Sequence, residues 1–258
     1  MAYSNNDWEF LLRGNPNDLW SLSKSQSSHY FHIYDVPDHL LDCEVNDYRM
    51  KTIYCNNETD LEIVWQIGYE LISLFNGAAR FIDANFRKLE IERLWNKEQD
   101  AAYRANQKLI GMLGKPSLPR HRIEEEMSRT RGDDRLAFLN LATENEDIYL
   151  LLKLFDLEPS WINNYKILET VESLAKREEI DLDVCKSTRK SFTNVANNFS
   201  ISGFDSRHGF KQVVKENKTP VMNLDDSNIF IRDVAKSYVI KKYNKSSQKD
   251  ASEAGASA

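Results

Sequence analysis

The chain has 258 residues, of which 41% are hydrophobic and 29% are charged, and this composition is typical of a globular protein. Twelve Phe, eleven Tyr and five Trp supply enough apolar surface for a core, which excludes a chain that is disordered throughout. The net charge of −6 gives no overall attraction for a phosphate backbone or an anionic membrane, so any nucleic-acid binding would have to be local.

Residues 1–28 have no helical or alternating pattern, and we interpret them as a loose leader. They carry Asp7 and Glu9 where a signal peptide needs a basic end followed by an apolar run. No stretch approaches the roughly 20 apolar residues that span a bilayer. We therefore expect a cytoplasmic protein that does not contact a membrane. The three cysteines are sparse and odd in number, so we expect reduced thiols instead of a disulfide framework.

Strand-like patterns follow the leader. Two runs rich in aromatic and β-branched residues, 30–36 and 43–55, are separated by the turn-forming Pro37 and predict a hairpin or a sheet edge. Alternation of apolar and polar residues over 86–95 predicts a further strand, and a weaker pattern predicts another around 109–113.

One long helix dominates the N-terminal half. Thr59 and Glu62 have capping-box spacing, and apolar residues then recur at helical intervals from Leu61 to Ile82. Additional apolar residues make this helix apolar on more than one side. This pattern predicts a central helix that other elements cover.

The second half has helical patterns only. Residues 114–135 combine Gly, Pro and charges of both signs, which favours a solvated linker over a nucleic-acid-binding patch. Four capping signals predict four helices, which begin near Thr143, Ser160, Asp181 and Asn223. The Ser/Ala/Gly-rich end of the chain predicts a disordered tail.

These patterns together predict an α+β protein. A mixed N-terminal half, with a short antiparallel sheet and one long central helix, precedes a helical C-terminal half. The predicted divisions are a loose leader over 1–28, a mixed α/β region over 29–113, a charged linker over 114–135, a helical region over 136–245 and a disordered tail over 246–258.

Common metal and cofactor signatures are weak or missing. His29, His32 and His39 lie close together and Cys43 follows, but a strand would direct residues 29 and 32 to opposite faces, so we favour surface histidines and predict no metal site. The chain contains no phosphate-binding or nucleophile motif, and we predict no cofactor. Cys185 falls on an apolar helix stripe and is predicted to be a buried structural cysteine.

The densest set of polar side chains lies over residues 194–209, which we call the 194–209 loop. Its candidate binding residues are Asn194, Asn197, Asp205, Arg207 and His208. Arg207 has the planar fork that holds a phosphate or a carboxylate, and His208 has a side chain suited to acid–base chemistry. The structural alternative is that Asp205 pairs with Arg207 while the asparagines cap a helix.

Several segments resemble a family of uncharacterised bacterial proteins. They are Asn76-Gly-Ala-Ala-Arg80, Trp161-Ile-Asn-Asn-Tyr-Lys-Ile-Leu-Glu169, Phe192-Thr-Asn-Val-Ala-Asn197 and Ser202-Gly-Phe-Asp-Ser-Arg-His-Gly209. In that family a Pro-Met-Leu stretch and a terminal helix follow the last motif, and Pro220-Val-Met-Asn-Leu224 corresponds to that stretch here. The resemblance implies a bacterial or phage origin and no particular activity.

The same part of the chain is more faintly similar to the HEPN-like helical nucleotide-binding domains of prokaryotic defence systems. In those domains an Arg and a His separated by four to six residues cleave RNA. The sequence departs from that pattern, because Ile201, Ser202 and Gly203 occupy the positions that would have to supply the Arg before His208.

Two hypotheses for function follow. The first is a binding or regulatory protein that presents the 194–209 loop to an as yet unknown protein partner or to a small anionic ligand. The alternative is a nuclease or nucleotide-processing enzyme that uses His208 as acid or base and Arg207 as anion holder. We place such an enzyme in prokaryotic defence.

Overall fold

The computed structural model describes residues 8–24, 28, 30–37, 46–104, 125–126, 128, 130, 132–210 and 220–256. Within them the chain is an α+β protein, which confirms the predicted fold class. It divides into two compact units, Met1–Asp156 and Leu157–Ala258. No helix in the described ranges combines the length and the apolar character needed to cross a membrane.

The N-terminal unit contains an antiparallel sheet and four helices in its described part. The strands are β1 (Trp8–Arg13), β2 (His32–Pro37), β3 (Asn46–Lys51), β4 (Glu90–Asn96) and β5 (Ala101–Arg104), in the spatial order β2-β3-β1-β4-β5. The helices are α1 (Pro16–Lys24), α2 (Leu61–Ile82), α3 (Asp134–Glu144) and α4 (Glu146–Asp156).

The prediction of a loose leader over residues 1–28 is wrong, because part of this segment forms the central strand of the sheet. Residues 8–13 form β1, which pairs with both β3 and β4, and α1 follows directly. Trp8, Phe10 and Leu12 alternate along the strand and are buried. Trp8 looked isolated in the sequence because β1 is only six residues long and gives just three apolar positions on its buried face, while Trp20 lies on α1 and is exposed.

Helix α2 is the central element, as the sequence predicts. Its side chains are buried on nearly every side, and it packs against β4, α3 and α4. The cap is Asp60 instead of Thr59, because the Asp60 carboxylate accepts hydrogen bonds from the backbone N–H groups of Glu62 and Ile63 at 2.9 and 3.3 Å.

A buried polar network joins α2 to α4. The Tyr149 hydroxyl donates to Glu70 at 2.6 Å, and the Lys153 ammonium lies 3.0 Å from the same carboxylate. Lys153 also donates to the Ser73 hydroxyl, which in turn donates to Asp156 at 2.8 Å. These paired groups satisfy the polar atoms that close helix packing would otherwise bury without partners.

The division between the units differs from the predicted one. The sequence placed it in a linker over 114–135, whereas α3 and α4 belong to the N-terminal unit, which ends at Asp156. The physical reason is that both helices bury apolar side chains such as Leu139 and Leu152 beside α2. Most of the linker and the strand around 109–113 lie outside the described residues.

The C-terminal unit contains α5 (Trp161–Arg177), α6 (Lys186–Ala196), the short α7 (Phe199–Ser202) and α8 (Leu224–Ala256). As predicted, Ser160 caps α5, with its hydroxyl accepting from the backbone N–H of Asn163. Phe192 is fully buried and packs against the rings of Trp161, Tyr165 and Phe230. This aromatic cluster forms the centre of the unit.

Two predicted helix boundaries are wrong. Helix α6 begins at Lys186 with Cys185 as its cap, whereas Asp181 lies earlier and its carbonyl oxygen accepts from Lys241 at 2.6 Å. Helix α8 continues to Ala256, past the predicted start of a disordered tail at 246. No Pro, and no Gly before Gly255, interrupts that stretch, so its local propensities do not stop the helix.

Candidate functional site

The 194–209 loop folds back on the C-terminal end of α6. The Ser202 hydroxyl donates to the Val195 carbonyl at 2.7 Å, and the Arg207 backbone N–H donates to the Ala196 carbonyl at 2.7 Å. These bonds satisfy carbonyl groups that a helix end leaves without partners. Gly203 has a φ of +60°, which permits the turn between the two attachments.

Arg207 is held by two side chains of α5. Its guanidinium lies 4.3 Å from the Tyr165 ring centroid and 3.0 Å from Glu169. Tyr165 and Glu169 are four residues apart and therefore share a face of the helix. The predicted structural pairing of Asp205 with Arg207 is wrong, because the carboxylate that reaches the guanidinium is that of Glu169.

The asparagines of the loop act at helix ends. Asn197 ends α6, and its backbone N–H donates to Thr193. Asn198 caps α7, with its side-chain oxygen accepting from the Ser200 backbone N–H at 3.1 Å. Asn194 is half-buried on α6. The side-chain oxygen of Asn197 is buried and accepts no hydrogen bond from the described part of the chain.

Asp205 and His208 are exposed. The backbone carbonyl of His208 accepts a hydrogen bond from the Ser206 hydroxyl. Within the described residues, no hydrogen bond or ion pair joins the side chains of Asp205, Arg207 and His208. These candidates are therefore neighbours in the sequence, but the loop does not assemble their side chains into a hydrogen-bonded catalytic set.

Three aromatic side chains in and beside the loop were not among the predicted site residues. They are Phe199, Phe204 and Phe210, which we call the phenylalanine patch. Phe204 is 95% exposed and Phe210 is 75% exposed. Their rings stand edge-on to Phe199, with centroid distances of 5.4 and 5.7 Å. The sequence signal for this patch was the occurrence of phenylalanines in an otherwise polar segment that lacks helical periodicity.

Cys185 is the clearest correction to a predicted residue role. It is exposed at the N-terminus of α6, one residue before the helix that was expected to bury it. Hydrogen bonds from Ser187 and Thr188 lower the pKa of its thiol to about 6. Cys55, in contrast, is buried, and burial raises the pKa of its thiol to about 12.

The histidine set considered for zinc is only partly described. His32 lies on β2 and stacks on Tyr34, with ring centroids 5.4 Å apart. His29, His39 and Cys43 lie outside the described residues. Elsewhere, the described residues contain no group of three or more His, Cys, Asp or Glu placed to hold a metal ion.

A cavity of about 660 Å³ lies in the N-terminal unit beside α1, the end of α2 and the start of α3. Its most prominent charges pair with one another: Arg135 forms two hydrogen bonds with Asp133, at 2.9 and 2.6 Å. This pairing raises the pKa of Arg135 and, despite burial, lowers that of Asp133. An already neutralised pair has little charge left for a ligand.

Comparison with known proteins does not assign a family. The chain matches no protein-family model, and neither the curated proteins nor the solved structures contain a match to it. We therefore infer function from the geometry of the chain itself.

Proposed function

We propose that this chain is a non-catalytic binding protein whose C-terminal unit contacts a protein partner through the 194–209 loop and the phenylalanine patch. The observation that carries the proposal is the exposure of Phe204 and Phe210, which leaves two large aromatic rings in water. Burying one such side chain contributes about 1.5–3 kcal/mol. Contiguous exposed apolar groups of this kind mark interaction surfaces.

The environment of Arg207 favours a protein over a small anion as the ligand. Glu169 already neutralises much of its charge and would repel a phosphate or carboxylate. The guanidinium of Arg207 lies against the Tyr165 ring, and the Arg207 side chain remains 40% exposed. Arginines fixed beside aromatic rings are frequent among the residues that dominate protein interfaces.

The enzymatic alternative, with His208 and Arg207 acting on a phosphodiester, has less support. Arg207 is engaged by α5, and His208 has no side-chain partner in the described residues that would orient it as an acid or base. Similarity to the bacterial family or to the HEPN-like domains rests on sequence motifs alone and remains an expectation.

Affinity capture from an extract of the source organism tests the proposal. The double variant Phe204→Ser, Phe210→Ser removes the patch, while Ile240→Ser removes a comparably exposed apolar side chain from α8. We expect a partner that wild type and Ile240→Ser capture in equal amounts and that the double variant fails to capture. Equal capture by all three proteins, with wild-type circular dichroism, would contradict the proposal.

Two single variants separate the roles within the loop. Arg207→Lys keeps the charge but loses the planar fork, so we expect weaker capture with unchanged folding. His208→Asn retains hydrogen bonding but cannot titrate near neutral pH, and we expect it to behave as wild type. A phosphodiesterase activity in the wild type that His208→Asn abolishes would instead establish the enzymatic alternative.

A further inference from the structure

The sheet of the N-terminal unit has two faces of different character. Phe10 points toward α2, where its ring packs against Gly68 and Trp65. Side chains alternate along a strand, so Glu9, Leu11 and Arg13 of β1 point to the opposite side. We call that side the second face.

Strand register places a row of arginines across the second face. Leu11 lies opposite Arg49 of β3 and Arg93 of β4, and Arg93 lies opposite Arg104 of β5. On the other side, Arg49 lies opposite Tyr34 of β2. With about 4.8 Å between neighbouring strands, the arginines span about 14 Å.

A second row runs parallel to the first and centres on a buried carboxylate. Glu9 is 1% exposed, and Arg49 and Lys51 approach its oxygens at 2.6 and 3.0 Å, while Lys97 forms a third ion pair. Three cations around one carboxylate leave two positive charges in excess. Glu9 thus gathers the charged ends of these long side chains and offsets only one of their three charges.

The exposed cations at the sheet edge are poorly balanced. Arg93 and Arg104 stand directly opposite each other, a pairing of like charges that destabilises a sheet. Glu92 lies 3.9 Å from Arg93 and 3.6 Å from Arg13, whose side chains are 58% and 70% exposed. Arg104 has no acidic partner in the described residues. An external polyanion would relieve this repulsion.

Aromatic rings accompany the cations on the same face. Trp95 lies opposite Glu9 in the second row and is half-buried. Tyr34 stacks on His32, with 15° between the rings, and the Lys51 ammonium lies 5.2 Å from the Tyr34 centroid. Aromatic side chains on a sheet surface are platforms on which unpaired bases stack.

We propose that the second face binds single-stranded nucleic acid, with phosphates on the arginine row and bases on Trp95 and on the His32–Tyr34 pair. Six basic residues, Arg13, Arg49, Lys51, Arg93, Lys97 and Arg104, meet four acids there, Glu9, Asp47, Glu90 and Glu92, in a chain whose net charge is −6. This local segregation supplies the attraction that the whole chain lacks. The proposal is independent of the partner proposed for the 194–209 loop.

Fluorescence anisotropy with a labelled 20-nucleotide oligo-dT or oligo-U, measured over a range of salt concentrations with the full chain, tests this proposal. Wild type is expected to bind with an affinity that falls as salt rises. The variant Arg93→Gln, Arg104→Gln should bind at least tenfold more weakly and have a salt slope smaller by about 1.4, since each phosphate contact on a single strand contributes about 0.7. Trp95→Leu should bind about tenfold more weakly with an unchanged slope.

The matched control removes two charges elsewhere. Lys166→Gln, Lys190→Gln neutralises exposed lysines of α5 and α6 and should bind as wild type. Equal loss in the control and in the Arg93, Arg104 variant would overturn the proposal, as would wild-type protein that binds neither oligonucleotide. Competition by polyphosphate as strong as that by unlabelled oligonucleotide at equal phosphate concentration would also overturn it, because a polyanion without bases would then suffice.

Discussion

At the scale of single residues, Glu9 shows how a carboxylate can be buried in a sheet. The hydrogen bonds from Lys97, Tyr34, Arg49 and Lys51 outweigh the opposing effect of burial and lower the pKa of Glu9 from 4.5 to about 2. The carboxylate therefore stays ionised at all but strongly acidic pH. Neither its burial nor its partners follow from the local sequence, because Arg49 lies on β3 and Lys97 follows β4, both far from Glu9 in the chain.

The lowered pKa of Glu9 predicts a specific dependence of stability on pH. A carboxyl group whose folded pKa is below its unfolded value stabilises the fold above the unfolded pKa, and this contribution is lost as pH falls through the folded pKa. For Glu9 that window is about pH 4.5 to 2, with a contribution of about 3 kcal/mol. Urea denaturation across this window should show a steeper loss of stability in wild type than in Glu9→Gln. Parallel curves for the two proteins would show that Glu9 is not held as an ion.

At the scale of elements, the packing of α2 depends on two glycines. A Cβ atom on Gly77 would lie 1.9 Å from the backbone carbonyl oxygen of Leu152 in α4, and one on Gly68 would lie 2.2 Å from the Phe10 ring. Glycine inside a helix normally costs about 1 kcal/mol relative to alanine. Here it permits backbones and rings to approach closely, which explains two glycines inside a helix.

Gly77→Ala should therefore destabilise the protein, although alanine is the better helix former. The neighbouring atom is backbone, so it cannot rotate away, and overpacking of this kind costs about 2 kcal/mol or more. Gly132→Ala is the matched control, because no atom lies within 4 Å of its Cβ position, and its effect should stay within about 0.5 kcal/mol. A Gly77→Ala variant that is as stable as wild type, or more so, in urea denaturation would contradict the close contact between α2 and α4.

Helix α2 and the strands β2, β3 and β4 were predictable from sequence, whereas β1 and α1 were not. Helix α2 has 22 residues, so its apolar repeat and capping signal stand out from chance. Strand β1 and helix α1 span six and nine residues and offer too few repeats to detect, although β1 lies in the middle of the sheet. Cys185 was wrongly predicted to be buried because its helix begins a few residues later than predicted. A position expected on the apolar stripe of the helix is therefore the N-cap.

The position of the candidate loop could be predicted from the sequence, but the side chains that surround Arg207 could not. The polar cluster indicated a loop in the segment containing Arg207, since residues that break helical periodicity in a helical region signal a loop. Its partners Tyr165 and Glu169, however, lie on α5, and their proximity depends on the packing of α5 against α6. The exposure of Phe204 was equally hidden, because a lone phenylalanine in a sequence is normally assigned to the core.

At the scale of the whole molecule, net charge and apolar content give averages that conceal local surfaces. The chain is acidic overall, yet the second face of its sheet gathers basic side chains from four strands, β1, β3, β4 and β5, with Lys97 immediately after β4. Its apolar residues form ordinary cores in both units, yet Phe204 and Phe210 lie outside them. Each surface belongs to one unit, so variants of one surface leave the residues of the other unchanged.

The most direct test of the proposed function is site-specific photo-crosslinking in living cells at position 204. Incorporating p-benzoylphenylalanine in place of Phe204 keeps an aromatic group in the patch, and the same substitution for Ile240 provides an exposed control position. The account predicts a discrete ultraviolet-dependent adduct between position 204 and one protein, with no such adduct from position 240. No adduct from position 204, or the same adducts from both positions, would contradict the claim that the phenylalanine patch is a protein-binding surface.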